Sequence, residues 1–438
     1  MITTPIARRC AQIASLVLIA TLFAGTPGPV SANGYAAQPE TWVGRAAESN
    51  DDVNGAIAGT SCSLPDYIAG PANADVQIQL GVNHTLAGGT LHLCPGTYTI
   101  DTTIDLSGKA IALSGASAAT TILDGGTIYA DDLVDVEGVR ILYSDNAITV
   151  ADLTLRNALA VGNGGAISTS NSATVSDSIF ANNSATTAGA IYANTTATVA
   201  RSTFTSNTAR DFAGAVYAET VATVTDSSFT DNTADLGGAI TATTATVARS
   251  TFTRNTATSI GGAIFTYTAA TVARSTFTRN TAGYVGGAIY TQHVANVTRS
   301  TFTRNTATTG GGGAIYAETV ANVTRSTFTR NTTTVDGGGI RASTGIISNS
   351  RFTSNTAGEH GGAVLFAVAT AGDLQELRGN TLTRNRAPAG GAITLASCGP
   401  VYSRKQVRRL ESANDFAENR ATEQRSTSNI QRLEDVCE

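Results

Sequence analysis

The chain has 438 residues, a formal net charge of −5, only 14% charged residues and 44 glycines. Lysine occurs twice, at Lys109 and Lys405, and this balance argues against a nucleic-acid partner, whose phosphates call for clustered cations. The length exceeds what one globular core usually needs, so an array or a repeat is expected.

Taken in order, residues 1–32 read as a secretory signal. Arg8 and Arg9 give a basic start, residues 14–25 an apolar run, and Val30-Ser31-Ala32 the small residues of a cleavage site. The run is short of the roughly 20 residues that span a bilayer. Residues 33–60, with Trp42, read as a flexible leader. Residues 61–160 alternate apolar and polar positions in short runs ended by Gly, Pro or Asp, as at Leu91, Leu93, Ile111, Leu113, Ile122 and Leu123. They are expected to cap and begin the body.

Residues 161–397 then repeat one sentence. A Phe or Leu falls at Phe180, Phe204, Phe229, Phe252, Phe277, Phe302, Phe328, Phe352 and Leu382. An Asn follows three residues later each time, from Asn183 to Asn385. Gly-Gly-Ala-Ile or a close variant ends each copy, as at Ile240, Ile264, Ile289 and Ile315. A period near 24–25 residues with strand-like contents marks a solenoid, and the strict apolar column excludes disorder. In Thr271-Val272-Ala273, Thr276-Phe277-Thr278 and Ala288-Ile289-Tyr290 one large apolar residue sits between smaller ones. Alternation turns it inward. The expected fold is all-β: a single-stranded right-handed parallel β-helix, three short strands per coil, with Val, Phe and Ile columns on three sides. About 14 coils at this rise make a rod roughly 65–70 Å long. Its handedness rests on the crossover rule for parallel strands. Each Asn suits a turn and could also bond to its copy in the next coil. The Gly before Ala-Ile avoids crowding at a corner. Residues 398–438 read as one more coil, with a charged helical insertion before Phe416 and Asn419, and a terminal cap.

Apart from Cys10 in the signal, four cysteines stand in two pairs outside the repeat: Cys62 with Cys94, and Cys398 with Cys437. Export favours a disulfide in each pair. Their spacing does not suit zinc, and neither a metal nor a cofactor is implied.

Gly-Gly-Ala-Ile alternating with Phe-x-x-Asn over residues 148–393 resembles the repeat of chlamydial polymorphic membrane proteins and related bacterial surface proteins. That resemblance implies a pectin-lyase-like β-helix, surface exposure and adhesion. Such proteins carry a membrane β-barrel. No run of alternating membrane strands is seen here, so release or non-covalent retention at a surface is expected.

Function must lie in outward residues, because the repeat signature is used up in building coils. Arg249, Arg274, Arg299 and Arg325 form one column, and Arg254, Arg279, Arg304 and Arg330 another. Stacked like charges repel, and a polyanion such as a cell-surface or uronic polysaccharide would relieve that repulsion. The plain alternative is a solvated repeat. Tyr192, Tyr217, Phe265, Tyr290 and Tyr316 each follow the inward Ile, so they are expected to face out as sugar platforms or as cross-coil stacks. Thr pairs flank each Phe, as Thr276 and Thr278 do. They suit β-propensity better than an ice-binding face that the arginines would interrupt. The fold also hosts polysaccharide lyases, hydrolases and epimerases. The acids and bases such chemistry needs are sparse. Asp131-Asp132 is the one tight acidic pair of the opening coils, and His360 is the best lone acid–base candidate. A non-enzymatic secreted β-helix that binds anionic glycans is the expectation, with a polysaccharide-active enzyme second and a structural spacer third.

Overall fold

The computed structural model describes residues 38–45, 62, 67–69, 73–126, 138–368, 376–397, 404–422 and 429–434. The expected signal (1–32), Asp131, Asp132, Cys398 and Cys437 lie outside them. The described chain winds as a parallel β-solenoid whose three main sheets hold 22, 13 and 8 strands. Pairings join equivalent residues of successive coils, as in Phe252↔Phe277 and Phe277↔Phe302.

One coil shows the plan. Ile264–Ala273 lies in the 22-stranded sheet, Thr276–Thr278 in the 13-stranded sheet and Thr281–Ala282 in the 8-stranded sheet. The expected Val and Ile columns therefore share one wall, since Ile264 and Val272 are both buried on the same strand. The third wall instead carries alanines: Ala185, Ala209, Ala234, Ala257, Ala282 and Ala307, all buried. A Thr-Ala dipeptide is too short and too small to stand out as a strand in sequence.

The phenylalanines from Phe180 to Phe352 stack with centroids 4.7–4.8 Å apart and planes 2–6° from parallel. This is the strand spacing of a sheet, so each ring rides on its own strand. The 13-stranded sheet is then about 58 Å from end to end, shorter than the sequence estimate.

Beside the rings runs an amide ladder. Asn280 Nδ2 donates to Asn305 Oδ1 and to the Phe252 carbonyl, both at 3.0 Å, and its backbone N–H donates to Asn305 Oδ1 at 3.0 Å. The pattern holds from Asn183 to Asn419. Asn is thus an interior residue and not the turn residue expected. The turn falls to its predecessor, such as Arg279 at φ +57°. A second ladder was not foreseen: the Ser275 N–H donates to Ser300 Oγ at 3.2 Å, and Ser275 Oγ donates to the Ala273 carbonyl at 2.9 Å. Both ladders satisfy backbone groups that the corners would otherwise bury unpaired.

The third corner needs two glycines for two reasons. Gly237 has φ +65°, while a Cβ on Gly238 would lie 2.2 Å from the Gly262 carbonyl oxygen. The crowding comes from the next coil's backbone and not, as expected, from core side chains.

A helix packs on the core near each end of the described solenoid. The helix Ala74–His84 packs Ile78 and Val82 into the core cluster that holds Val43 and Leu91. Its i, i+4 apolar pair went unread among strand-like neighbours. Within the expected leader, Gln38–Arg45 is a strand paired in parallel with Thr85–Leu93, and Trp42 stacks on His92 at 4.2 Å. Cys62 and Cys94 form a disulfide. At the other end the helix Arg404–Ser412 packs Val407 and Leu410 on the core. Phe416 pairs with Leu382, Asn419 accepts from Asn385 at 3.0 Å, and Ile430–Glu434 pairs with Ile393–Ser397.

Candidate functional site

The eight arginines occupy two corners on either side of the Thr-Phe-Thr strands. All eight are exposed, with φ between 49° and 57°. A non-glycine residue in this left-handed region costs roughly 1–2 kcal/mol, and Asn, Asp or Gly is the cheaper occupant. Other coils use those residues at the first corner: Asp177, Asp226, Asn349 and Gly379. Backbone bonds hold the corners in register. Arg274 N–H donates to the Thr298 carbonyl and Arg299 N–H to the Thr324 carbonyl; Arg279 and Arg304 do the same to Thr303 and Thr329.

The two columns are not uniform. Arg249 grips Asp226 of the preceding coil with two bonds of 2.7 Å, and Arg254 grips Asp231 in the same way. Arg201 repeats this with Asp177. These hydrogen bonds hold the Asp177, Asp226 and Asp231 carboxyls below the usual carboxylate range. Arg274, Arg299 and Arg325 on one corner, and Arg279, Arg304 and Arg330 on the other, make no side-chain hydrogen bond or ion pair among the described residues. Between the rows stand Thr276, Thr278, Thr301, Thr303, Thr327 and Thr329. Arg351 takes the next Thr position, paired with Thr327, and is exposed. Among the described residues the face thus carries seven arginines without a side-chain partner, beside the paired Arg249 and Arg254. Within residues 274–330 the one acid, Glu318, lies on the 22-stranded sheet.

The tyrosines point away from the coil interior, but they do not form an open platform. Phe265 and Tyr290 are buried, at 0% and 4% exposure, in a second small apolar cluster with Ile260 and Val285. The variable joint folds over them and supplies that cover. Tyr192 stacks on Tyr217 at 5.1 Å, and Tyr290 lies 5.4 Å from Phe265 and 5.5 Å from Tyr316. The Arg341 guanidinium extends the stack, 4.7 Å from the Tyr316 centroid. Burial, with a 2.6 Å bond to Glu219, pushes the Tyr217 phenol far above its ordinary value. The column therefore has the character of cross-coil stacking. Sequence alternation gave the direction of these rings but not the joint that covers them.

His360 has neighbours that lie far from it in sequence. Its Nδ1 is 2.8 Å from Asp336 Oδ1, and Arg341 Nε is 3.9 Å from Asp336 Oδ2. One ligand atom each from Asp336, Glu359 and His360 falls within 4.8 Å of the others, a grouping that could hold a cation. The adjacent Arg341 already balances Asp336 and would repel one. Sequence reading missed this trio because it joins two coils through the variable joint.

Three coils match a known repeat. Residues 249–267, 274–292 and 299–318 fit the Chlamydia polymorphic membrane protein (Chlamydia_PMP) repeat. Each matched segment begins on a first-corner arginine and contains a second-corner one. No curated protein and no solved structure matches the chain. The repeat match and the parallel β-solenoid fit a surface protein. No helix among the described residues is long and apolar enough to cross a membrane.

Proposed function

We propose that the protein is a secreted or surface-held, non-enzymatic β-helix that adheres to anionic glycans through its arginine–threonine face. The observation that carries this is the six corner arginines whose side chains have no partner among the described residues. Each sits in a backbone conformation that a smaller residue would adopt at lower cost, and strain kept at exposed positions points to a role outside the fold. Guanidinium forks match carboxylates and phosphates, and hydroxyls between them suit sugar oxygens. The tyrosines are better assigned to the scaffold. The test is retention of the protein on immobilised polyuronate across a salt series. Replacing Arg274, Arg279, Arg299 and Arg304 by Ser should lower affinity at least tenfold and flatten the salt dependence. Unchanged binding would remove the arginines from the site.

One observation favours a polysaccharide-active enzyme as a second reading: the Asp336–His360 bond beside Arg341 and Tyr316. Asp336 would orient the imidazole for proton transfer. Cleavage of uronate polymers that His360→Gln abolishes would support it, and binding without turnover would dismiss it.

A further inference from the structure

The two arginine rows do not run the length of the solenoid, and their ends are defined chemically. On the N-terminal side each row stops at an internal pair: Arg249 is held by Asp226 and Arg254 by Asp231, each by two bonds of 2.7 Å. On the C-terminal side the same two corners pass to Asn349 and Ser354, which are uncharged, and the cation of that coil, Arg351, stands on the strand between the rows and not in either of them. Between these stops each row has three arginines with no side-chain partner among the described residues: Arg274, Arg299 and Arg325, and Arg279, Arg304 and Arg330.

The orientation of a ligand follows from spacing. Along a row, cations recur at the coil rise, which the stacked rings set at 4.7–4.8 Å. Across a coil, the nearest cations are separated by a whole strand, Thr276–Thr278, and the turn at each end. Neighbouring charges of an extended uronate or phosphate chain are close together, on the order of the coil rise, so one chain can satisfy a row but not bridge a strand at every unit. From first to third arginine a row spans two coil steps, about 10 Å.

We infer that the arginine face is a bounded site. It takes a linear polyanion laid along the solenoid axis and reads three consecutive charges per row, with Asp226 and Asp231 as the stops that set this length. The inference rests on the anionic-ligand reading above and adds its footprint. Each stop works by occupying the fork of the next arginine, so that a fourth cation in each row is present but already bound. Releasing that cation lengthens the site without introducing any new group.

The experiment is calorimetric titration of the full chain, at low salt, with uronate oligosaccharides of one to eight units. A parallel series of linear phosphate oligomers distinguishes the anionic group. Affinity should climb several-fold per unit up to three or four units. It should then flatten, leaving only the statistical gain from extra registers. In the double variant Asp226→Asn/Asp231→Asn the plateau should move out by one unit and the plateau affinity should rise several-fold. Asn tolerates the left-handed corner, so the coils are preserved. Asp177→Asn breaks the same kind of pair, but Asp226 still separates the freed Arg201 from the array, so the plateau should stay in place. Affinity that keeps climbing steeply past six units, or a plateau unmoved by the double variant, overturns the bounded site while leaving anionic binding intact. If no oligomer of either series binds the unaltered chain, the reading beneath it falls as well.

Discussion

Residues 177–239 and 240–358 are two stretches of one solenoid with the same interior and opposite charge balance. The first holds 6 acidic and 2 basic residues, the second 2 acidic and 10 basic. Inside, nothing changes between them: Phe204 and Phe229 stack as Phe277 and Phe302 do, and the amide ladder passes from Asn232 to Asn255 without a break. The change of sign falls at the corners, where Asp226 gives way to Arg249 and Asp231 to Arg254 at almost constant φ. The interior fixes the corner backbone and leaves its side chain free. That freedom is where a binding surface can be written without disturbing the coil.

The comparison breaks first if the interior does not carry the fold. Phe277→Ala should cost about 4 kcal/mol in chemical denaturation, because it removes one ring from a closed stack and leaves a cavity. Asn280→Ala should cost about 3 kcal/mol by stranding the Asn255 amide and the Phe252 carbonyl. Arg279→Asn, one residue away, should go the other way. Relief of the left-handed penalty should raise the unfolding free energy slightly, by up to about 1 kcal/mol, while weakening polyanion binding. A loss of stability there as large as at Asn280 would mean that the corner side chain supports the coil.

The smallest effect sharpens the electrostatic side. Asp226 and Asp231 have folded-state pKa values below their unfolded values. They contribute stability above the ordinary carboxylate pKa, about 3.9, and lose it as pH falls through their lower folded values. Both pairs are exposed, so the contribution is modest. The unaltered chain should lose slightly more stability than Asp226→Asn/Asp231→Asn on acidification below pH ~4, and the two should run parallel between pH 5 and 8. A difference between them near neutrality would place the cause elsewhere.

Much of the fold was legible because the repeat states its interior outright. Phe, Ile, Val and Gly-Gly recur at fixed spacing, and even the last coil could be read through Phe416 and Asn419. What was missed had a weak or displaced signal. The alanine wall has no large residue to mark it. Asn280 carries the composition of a turn while lying inside, because a ladder bond and a turn call for the same side chain. The helix Ala74–His84 and the pairing of Gln38–Arg45 depend on end closure, which no periodicity encodes. For the site, sequence placed the arginines in two columns but could not tell gripped Arg249 from ungripped Arg274, since the deciding Asp226 belongs to the coil before. Phe265 and Tyr290 point away from the coil interior as alternation demands, yet the joint that buries them varies from copy to copy.

The most direct test of the account replaces all six ungripped arginines, Arg274, Arg279, Arg299, Arg304, Arg325 and Arg330, by Asn and measures unfolding and polyanion affinity on the same preparation. The expected result is a solenoid at least as stable as the unaltered chain that no longer binds uronate or phosphate oligomers. Binding retained at the same salt dependence, or a chain that fails to fold, would contradict it.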